Sequence, residues 1–339
     1  MALSTDKKLI ISVVILGALG GALVMQNKKK AAEDAAHSSS ASQAALPELG
    51  LTSEALATAT KVSVTTPAEP ASEGKAEKPA TTWVLEKQGD DWRVTAPVNY
   101  PANQSNIENL LKNLEKLSLV EKIADSEESW AGYDLNDQKS LAVQVWAGDQ
   151  ELTNLHLGKS GGRGQTVRVG TDPATYSLKG YSSYLYERDG KGWRDTAILE
   201  LDAPQVVSID VSNAAGEYDF TKEGESWKAQ FKKAKGFQGS SWKAFDSSKV
   251  DDLLRAFQSL QAQDFGDNVS REAAGLVEPS ATVTFTLSDD TKQVLQLGGV
   301  SDGQARYLVH EGNDQVFTIG SWAANWAVAE PEKFEKAEE

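Results

Sequence analysis

The sequence predicts an α+β body made of two tandem copies of an antiparallel-sheet-plus-helix module, carried behind an N-terminal transmembrane helix and a disordered tether. Three observations predict it. Trp83–Trp92 (Trp-Val-Leu-Glu-Lys-Gln-Gly-Asp-Asp-Trp) returns as Tyr218–Trp227 (Tyr-Asp-Phe-Thr-Lys-Glu-Gly-Glu-Ser-Trp). Each copy is followed by apolar residues at helical spacing. Near the N-terminus, Leu9–Met25 carries no charge and stands between Lys7-Lys8 and Lys28-Lys29-Lys30.

In chain order the first element is the membrane anchor, residues 1–30. Ser12 is the one polar side chain within Leu9–Met25. At ~1.5 Å per residue this run spans about 25 Å, slightly short of a ~30 Å hydrocarbon core, and its flanking lysines can snorkel. Ala-Leu-Val-Met-Gln after Gly21 offers no small-x-small cleavage site, which favours an uncleaved span over a signal peptide. The chain has no Cys, so a lipoprotein anchor is excluded. Only six residues precede Lys7, a short inside tail that implies an exported body, although Lys28–Lys30 pull the other way under the positive-inside rule. The expected location is a bacterial inner membrane, single-pass, with the body periplasmic.

Residues 31–80 are rich in Ala, Ser, Thr, Glu, Pro and Lys and hold no aromatic residue. Such composition buries too little apolar surface to offset the entropy of ordering, so a disordered tether is expected. A flexible chain of that length reaches about 40 Å. Leu46–Leu56 has a weak helical pattern, but a plain tether is the expectation.

The first module is assigned to residues 81–200. Its hairpin Trp83–Pro97 turns at a Gly followed by acids. Over Ala102–Lys122, Ile107, Leu110, Leu111, Leu114 and Leu117 recur with polar residues between them, the pattern of an amphipathic helix. Asn103 or Ser105 would cap its start. Leu119–Ala124 leaves the helix and Gly132-Tyr133 marks a turn. Leu141, Val143 and Val145 alternate as a strand, and Leu152–Leu157 returns as a second, ending at Gly158. Thr166–Val169 and Tyr176–Tyr186 supply further strands.

The second module, residues 201–339, repeats this order. Val250, Leu253, Leu254, Phe257 and Leu260 answer the first helix at a shift of 143, and Gly275-Leu276 answers Gly132-Tyr133 at the same shift. Val283 and Phe285 answer Val143 and Val145, and Leu297-Gly298 answers Leu157-Gly158. Arg306–Val309 and Val316–Trp326 complete the unit. Asp195–Val211 joins the modules, with a strand at Val206–Val211 and the boundary near residue 200.

Composition narrows the function. The whole net charge of −15 falls on residues 81–339, with 26 basic against 41 acidic residues. That surface repels phosphate backbones and anionic headgroups, which argues against nucleic-acid binding. Absence of Cys removes thiolate nucleophiles, disulfides and Cys-ligated metals.

Each candidate for chemistry meets a plainer explanation. Gly158-Lys159-Ser160 resembles the end of a phosphate-binding loop, but Thr153 stands where that motif requires Gly and a Gly-rich run follows where it requires a helix. His37, His156 and His310 share no ligand spacing and are not repeated between the modules. Glu127-Glu128, Asp251-Asp252 and Asp289-Asp290 are adjacent acids of the kind found in solvated turns. No catalytic, cofactor-binding or metal residue is assigned, and no cofactor. Trp92 and Trp227 are expected to fill the two cores. Trp83, Trp130, Trp146, Trp193, Trp242, Trp322 and Trp326 are not repeated as Trp. Tyr176, Tyr181, Tyr184 and Tyr186 cluster where the second module has Trp322 and Trp326, and any exposed members suit protein or glycan binding.

The chain is similar to a known bacterial family. The carriers are Trp92-Arg93-Val94-Thr95-Ala96-Pro97, the Leu-Leu helix, the turns Gly132-Tyr133-Asp134 and Gly275-Leu276-Val277-Glu278-Pro279, the strand ending Leu-Gly and the junction Trp193-Arg194-Asp195. These resemble domain-of-unknown-function family 4340 over most of residues 83–330, in tandem. In the second module Trp227-Lys228-Ala229-Gln230-Phe231 has drifted from the motif. The resemblance implies an auxiliary envelope role beside gliding-motility-type ABC transporter components and offers no catalytic residues. The expected function is therefore a non-enzymatic, membrane-tethered accessory or scaffold subunit of an ABC-type transporter or gliding-type complex, with a protein partner. The alternative is a glycan- or peptide-binding envelope module using exposed aromatics.

Overall fold

A computed structural model describes residues 46–336 apart from 73, 75 and 163. The expected anchor and His37 lie outside the described residues. Among the described residues no helix is long and apolar enough to cross a membrane. The architecture is α+β, mostly antiparallel sheet with a few helices.

The first nine strands are β1 (Lys61–Thr66), β2 (Thr81–Gln88), β3 (Asp91–Ala96), β4 (Tyr100–Pro101), β5 (Ser118–Ala124), β6 (Leu141–Ala147), β7 (Gln150–Gly161), β8 (Gly164–Val169) and β9 (Thr175–Lys179). Then come β10 (Ala197–Glu200), β11 (Val206–Asn213), β12 (Gly216–Glu223), β13 (Ser226–Lys233), β14 (Ser259–Gln261) and β15 (Asp264–Phe265). The last four are β16 (Ala281–Leu287), β17 (Lys292–Val300), β18 (Arg306–His310) and β19 (Phe317–Ile319). Among the described residues two helices exceed two turns, Gln104–Leu114 and Ser248–Phe257.

The chain divides into two compact units, with the main break between Glu187 and Arg188. Residues 88–94 and 98–107 belong to the second. The break thus falls earlier than residue 200, and the end of the first hairpin and the start of the first helix are grouped with the second unit.

In the first unit hydrogen-bonded strands follow the order β2-β1-β6-β7-β8-β9-β5. Strand β1 corrects the expectation of a disordered tether over 31–80. It pairs with both β2 and β6, and Val62 and Val64 are wholly buried. A short helix, Ser53–Ala57, precedes it, and the Thr52 hydroxyl accepts the Ala55 N–H at 3.2 Å. The reason is local pattern outweighing bulk composition: Lys-Val-Ser-Val-Thr-Thr alternates β-branched residues, and a strand with neighbours on both sides needs no aromatic to be held. The first module therefore begins well before residue 81.

In the second unit the order is β13-β12-β11-β16-β17-β18-β19-β15, with β10 and β14 paired separately. Its core shows why the sequence reads as alternation. Ala281, Val283 and Phe285 of β16 face inward against Val250, Leu253 and Phe257 of the helix, while Thr282, Thr284 and Thr286 face out. Edge strand β13 carries Lys228 and Lys232, which reach Glu223 and Glu217 at 2.5 and 2.9 Å. Charged side chains on a free edge discourage further strand pairing.

The two runs share one order once corresponding strands are matched, β2-β1-β6-β7-β8-β9-β5 against β12-β11-β16-β17-β18-β19-β15. Their registers agree too: Leu141 pairs with Leu157 and Val143 with Leu155, as Ala281 pairs with Leu297 and Val283 with Leu295. One correspondence read from the sequence shifts by two places. Gly275 matches Asp134, not Gly132, and Leu276 matches Leu135. Asp134 (φ 56) and Gly275 (φ 68) are the left-handed residues that end each helical turn. Leu135 N–H then reaches the Trp130 carbonyl at 2.9 Å and Leu276 N–H the Arg271 carbonyl at 2.7 Å, the same five-residue return in both.

Candidate functional site

The motifs noted around Trp92 and Trp193 are a hundred residues apart in sequence and meet in the second unit. Strand β4 pairs with β3 at Arg93–Pro101 and Val94–Tyr100. Gln104, first residue of its helix, reaches back to Trp92. Its Oε1 accepts the Trp92 N–H at 2.8 Å, and its Nε2 donates to the Trp92 and Ala102 carbonyls at 2.9 Å each. One side-chain amide thus ties the strand's start to the helix's start. Asn103 caps that helix, its Oδ1 accepting the Asn106 N–H at 3.0 Å. Trp227 repeats the arrangement more simply, donating its backbone N–H to the Ser247 hydroxyl at 2.8 Å.

The Trp-Arg-Asp junction closes against this corner. Asn103 N–H reaches the Trp193 carbonyl and Asp195 N–H the Pro101 carbonyl, both at 2.9 Å, and Ala102 bridges to Arg194. The Asn106 amide donates to the Gly192 carbonyl at 2.7 Å. Beneath lies Arg194, 2 % exposed, whose guanidinium binds both carboxylate oxygens of Asp267 at 2.7 and 2.8 Å. It also sits 3.7 Å from the centre of the Phe265 ring, and Nε donates to the Gly190 carbonyl at 3.0 Å. Planar, bidentate and stacked, this arginine fixes the junction's backbone. Tyr100 packs edge-on to Phe265 at 5.3 Å, and burial raises its phenol pKa, keeping it neutral.

Together these segments line an open cleft of about 640 Å³. Exposed Pro101 supplies apolar surface, with Trp92 and Ala102 almost wholly buried behind it, and Gln88, Asp91, Arg93, Ser105 and Asp195 supply polar groups. Part of that polar set is already engaged: Arg93 contacts Asn99 Oδ1 at 3.3 and 3.1 Å, and Asp195 Oδ1 accepts the Ala197 N–H at 3.0 Å. Neither contact occupies the whole group, so the cleft offers both donors and acceptors.

A second polar cluster lies in the first unit. His156 Nδ1 stands 2.9 Å from the Ser140 hydroxyl and 3.1 Å from Arg168 NH2, and Arg168 also pairs with the exposed Asp137. Arg168 Nε donates to the Leu135 carbonyl at 2.8 Å, and the guanidinium lies 4.4 Å from the Trp130 ring centre. Burial, helped by the Arg168 charge and opposed by Asp137, lowers the His156 pKa to about 4. The trio is no Ser-His-Asp relay. Serine and aspartate approach the same ring nitrogen, Asp137 at 3.8 Å, whereas a relay needs them on opposite ones. The cluster instead clamps the end of the Trp130–Tyr133 turn to β8.

The remaining sequence candidates fall into structural roles. Gly158-Lys159-Ser160 lies within β7, where Lys159 reaches the Gly132 carbonyl at 3.1 Å and Ser160 the Gln165 side chain at 2.7 Å. His310 meets Gln293 at 2.8 Å. Asp251 accepts the Trp227 indole N–H at 2.8 Å, Asp252 pairs with Arg255 at 2.7 Å, and Glu127-Glu128 form an exposed turn. Bonds from Thr291 hold the Asp289 carboxyl below its ordinary pKa. Among the described residues no group of three or more potential metal ligands occurs.

Trp83, Trp92, Trp193, Trp227 and Trp326 are buried, as are Tyr176 and Tyr186. Tyr184 and Trp322 are not, at 69 % and 57 % exposed. Each lies in the first helical segment after β9 or β19, Tyr184 in Ser183–Leu185 and Trp322 in Ser321–Ala327, although strand register matches Trp322 with the half-buried Tyr181 rather than with Tyr184. Sequence reasoning named these aromatics but missed the cleft. Its two motifs were visible, and what joins them, the Gln104 amide and the Arg194–Asp267 pair, has no local signature.

No curated protein and no solved structure matches the chain. A family model does match, over residues 92–279, and its description is a domain of unknown function. The match opens at Trp92, at the corner of the cleft, and spans the Trp193–Asp195 junction. Covering more than half of the chain, it shows that this protein belongs to the DUF4340 family.

Proposed function

We propose that the protein is a non-enzymatic, membrane-tethered envelope component whose body, two tandem copies of one α+β module, docks onto a protein partner. In this reading residues 1–30 anchor it in a bacterial inner membrane with the body periplasmic, and the partner is an ABC-type transporter or gliding-type complex for which it is an accessory or scaffold subunit. The observation that carries the reading is the pair Tyr184 and Trp322, the most exposed aromatics described, each in the helical segment that follows β9 or β19. Amphipathic aromatics on a surface are characteristic anchors of protein interfaces. The identified charged clusters, Arg168 with Asp137 and Arg194 with Asp267, meanwhile serve to hold the fold.

Crosslinking in intact cells, followed by membrane extraction and identification of what travels with the body, tests this. Transporter subunits are expected among the products, and their yield should fall in a Tyr184→Ala, Trp322→Ala double variant. Recovery of the protein alone would end the scaffold reading. A second reading, a glycan- or peptide-binding envelope module, draws support from the open cleft beside Trp92.

A further inference from the structure

We propose that the cleft beside Trp92 binds an uncharged oligosaccharide, a proposal that deepens the second reading above and rests on it. The cleft's walls are set by bonds that use backbone and inward-facing groups: Gln104 on Trp92, Asp195 N–H on Pro101, and the buried Arg194 on Asp267 beneath. What faces the opening is a mixture. Carboxylates at Asp91 and Asp195 only accept hydrogen bonds, the Arg93 guanidinium only donates, and Ser105 and Gln88 do both. Asn103 takes the Asn106 N–H, and the Gln104 and Ser105 N–H groups add donors that have no partner within the helix.

A sugar hydroxyl donates and accepts at once, so a polyol satisfies every group in such a mixed lining, whereas a purely anionic or purely cationic ligand leaves part of it unpaired. Charge decides between neutral and acidic sugars. Two carboxylates face one guanidinium in the cleft, and the surrounding body carries 41 acidic against 26 basic residues, so phosphate- or uronate-bearing chains are repelled. With Trp92 buried, exposed Pro101 supplies the small apolar patch that meets the C–H groups of a pyranose ring. At about 640 Å³ the volume lies in the range of small-molecule sites, and the cleft is open to solvent.

The test uses the full chain in lipid nanodiscs, titrated with chitotetraose and maltotetraose as neutral probes and an alginate tetramer as the acidic one. Binding is followed by saturation-transfer difference NMR and calorimetry. The expected result is saturable binding of a neutral probe, weakened about tenfold by Asp91→Ala and by Asp195→Asn, and unchanged by Trp322→Ala. Asp195→Asn retains the oxygen that takes the Ala197 N–H, and Asp91 is exposed, so both variants should keep the fold; thermal melting checks this. Neutral-probe binding that survives both cleft variants would move the glycan elsewhere and overturn this site while leaving the second reading intact. No binding of either neutral probe, or tighter binding of alginate, overturns the proposal outright. Neither result touches the crosslinking experiment, which reports on the scaffold reading.

Discussion

The two units use one backbone device with different side chains around it. In the first, the turn ending Tyr133-Asp134-Leu135 lies over Gly158. In the second, Ala274-Gly275-Leu276 lies over Gly298. A Cβ placed on Gly158 would overlap the Tyr133 carbonyl oxygen, and one placed on Gly298 would overlap the Ala274 carbonyl oxygen. Around that shared contact the chemistry has parted. The first unit clamps its turn with Arg168, His156 and Ser140. At the positions matching His156 and Arg168 the second has Gln296 and Val309, judged by strand register. There Ser280 donates to the Gly298 carbonyl at 2.7 Å and Arg306 reaches the same oxygen at 3.1 Å. Backbone proximity that only glycine permits stays fixed, while the side chains that secure it are interchangeable.

The strongest way to break this comparison is at the glycines. Gly158→Ala and Gly298→Ala each force a strand away from a carbonyl that cannot retreat without unwinding its turn. Each should cost about 4 kcal/mol or more in denaturant unfolding, an exceptional value for one methyl group. If either substitution is tolerated within about 1 kcal/mol, the close approach is not what holds that turn.

Next in size are the side-chain clamps. Arg168→Ala removes a buried guanidinium, leaves the Leu135 carbonyl without its donor and leaves the His156 ring with Ser140 alone. A loss of about 2–3 kcal/mol is expected. The same clamp gives the first unit a pH dependence that Gln296 cannot give the second. The His156 pKa is lowered from 6.5 to about 4, so between those values the unfolded chain takes up a proton that the folded chain refuses. Stability from this group is complete above pH 6.5, falls as the pH falls, and is exhausted near pH 4. The loss approaches about 3 kcal/mol. His156→Gln, which copies the second unit, should remove this component, read as the difference between variant and parent across that window. Parallel curves for the two proteins would refute it.

How much of this was legible beforehand follows the range of each interaction. Both helices, the β6–β7 and β16–β17 pairs and the repeated hairpin were visible because their signals are periodic and local. Strand β1 was hidden: Val62 and Val64 sit in a stretch whose overall composition suggests a tether, and their partners lie in β2 and β6. The turn correspondence slipped because the sequence aligns glycine with glycine, whereas the backbone needs a left-handed residue, and Asp134 fills that role as Gly275 does. The cleft was hidden for the same reason as β1, since Gln104 and Asp267 announce nothing until the chain has folded.

The smallest effect sharpens that last substitution. Asp134 is tolerated at its left-handed position partly because short polar side chains adopt it more readily than others. It also faces Lys139 and Lys159 at 3.5 and 3.4 Å. Asp134→Asn keeps the backbone preference and removes the charge, so it isolates the ion pairs. Both lysines are largely exposed, which limits the loss to about 0.5 kcal/mol. That difference should shrink toward zero as salt is raised to about 1 M, where the screening length falls to ~3 Å. No loss at any salt concentration would mean that Asp134 acts through its backbone conformation, and the charge on the first turn would then be incidental to the device both units share.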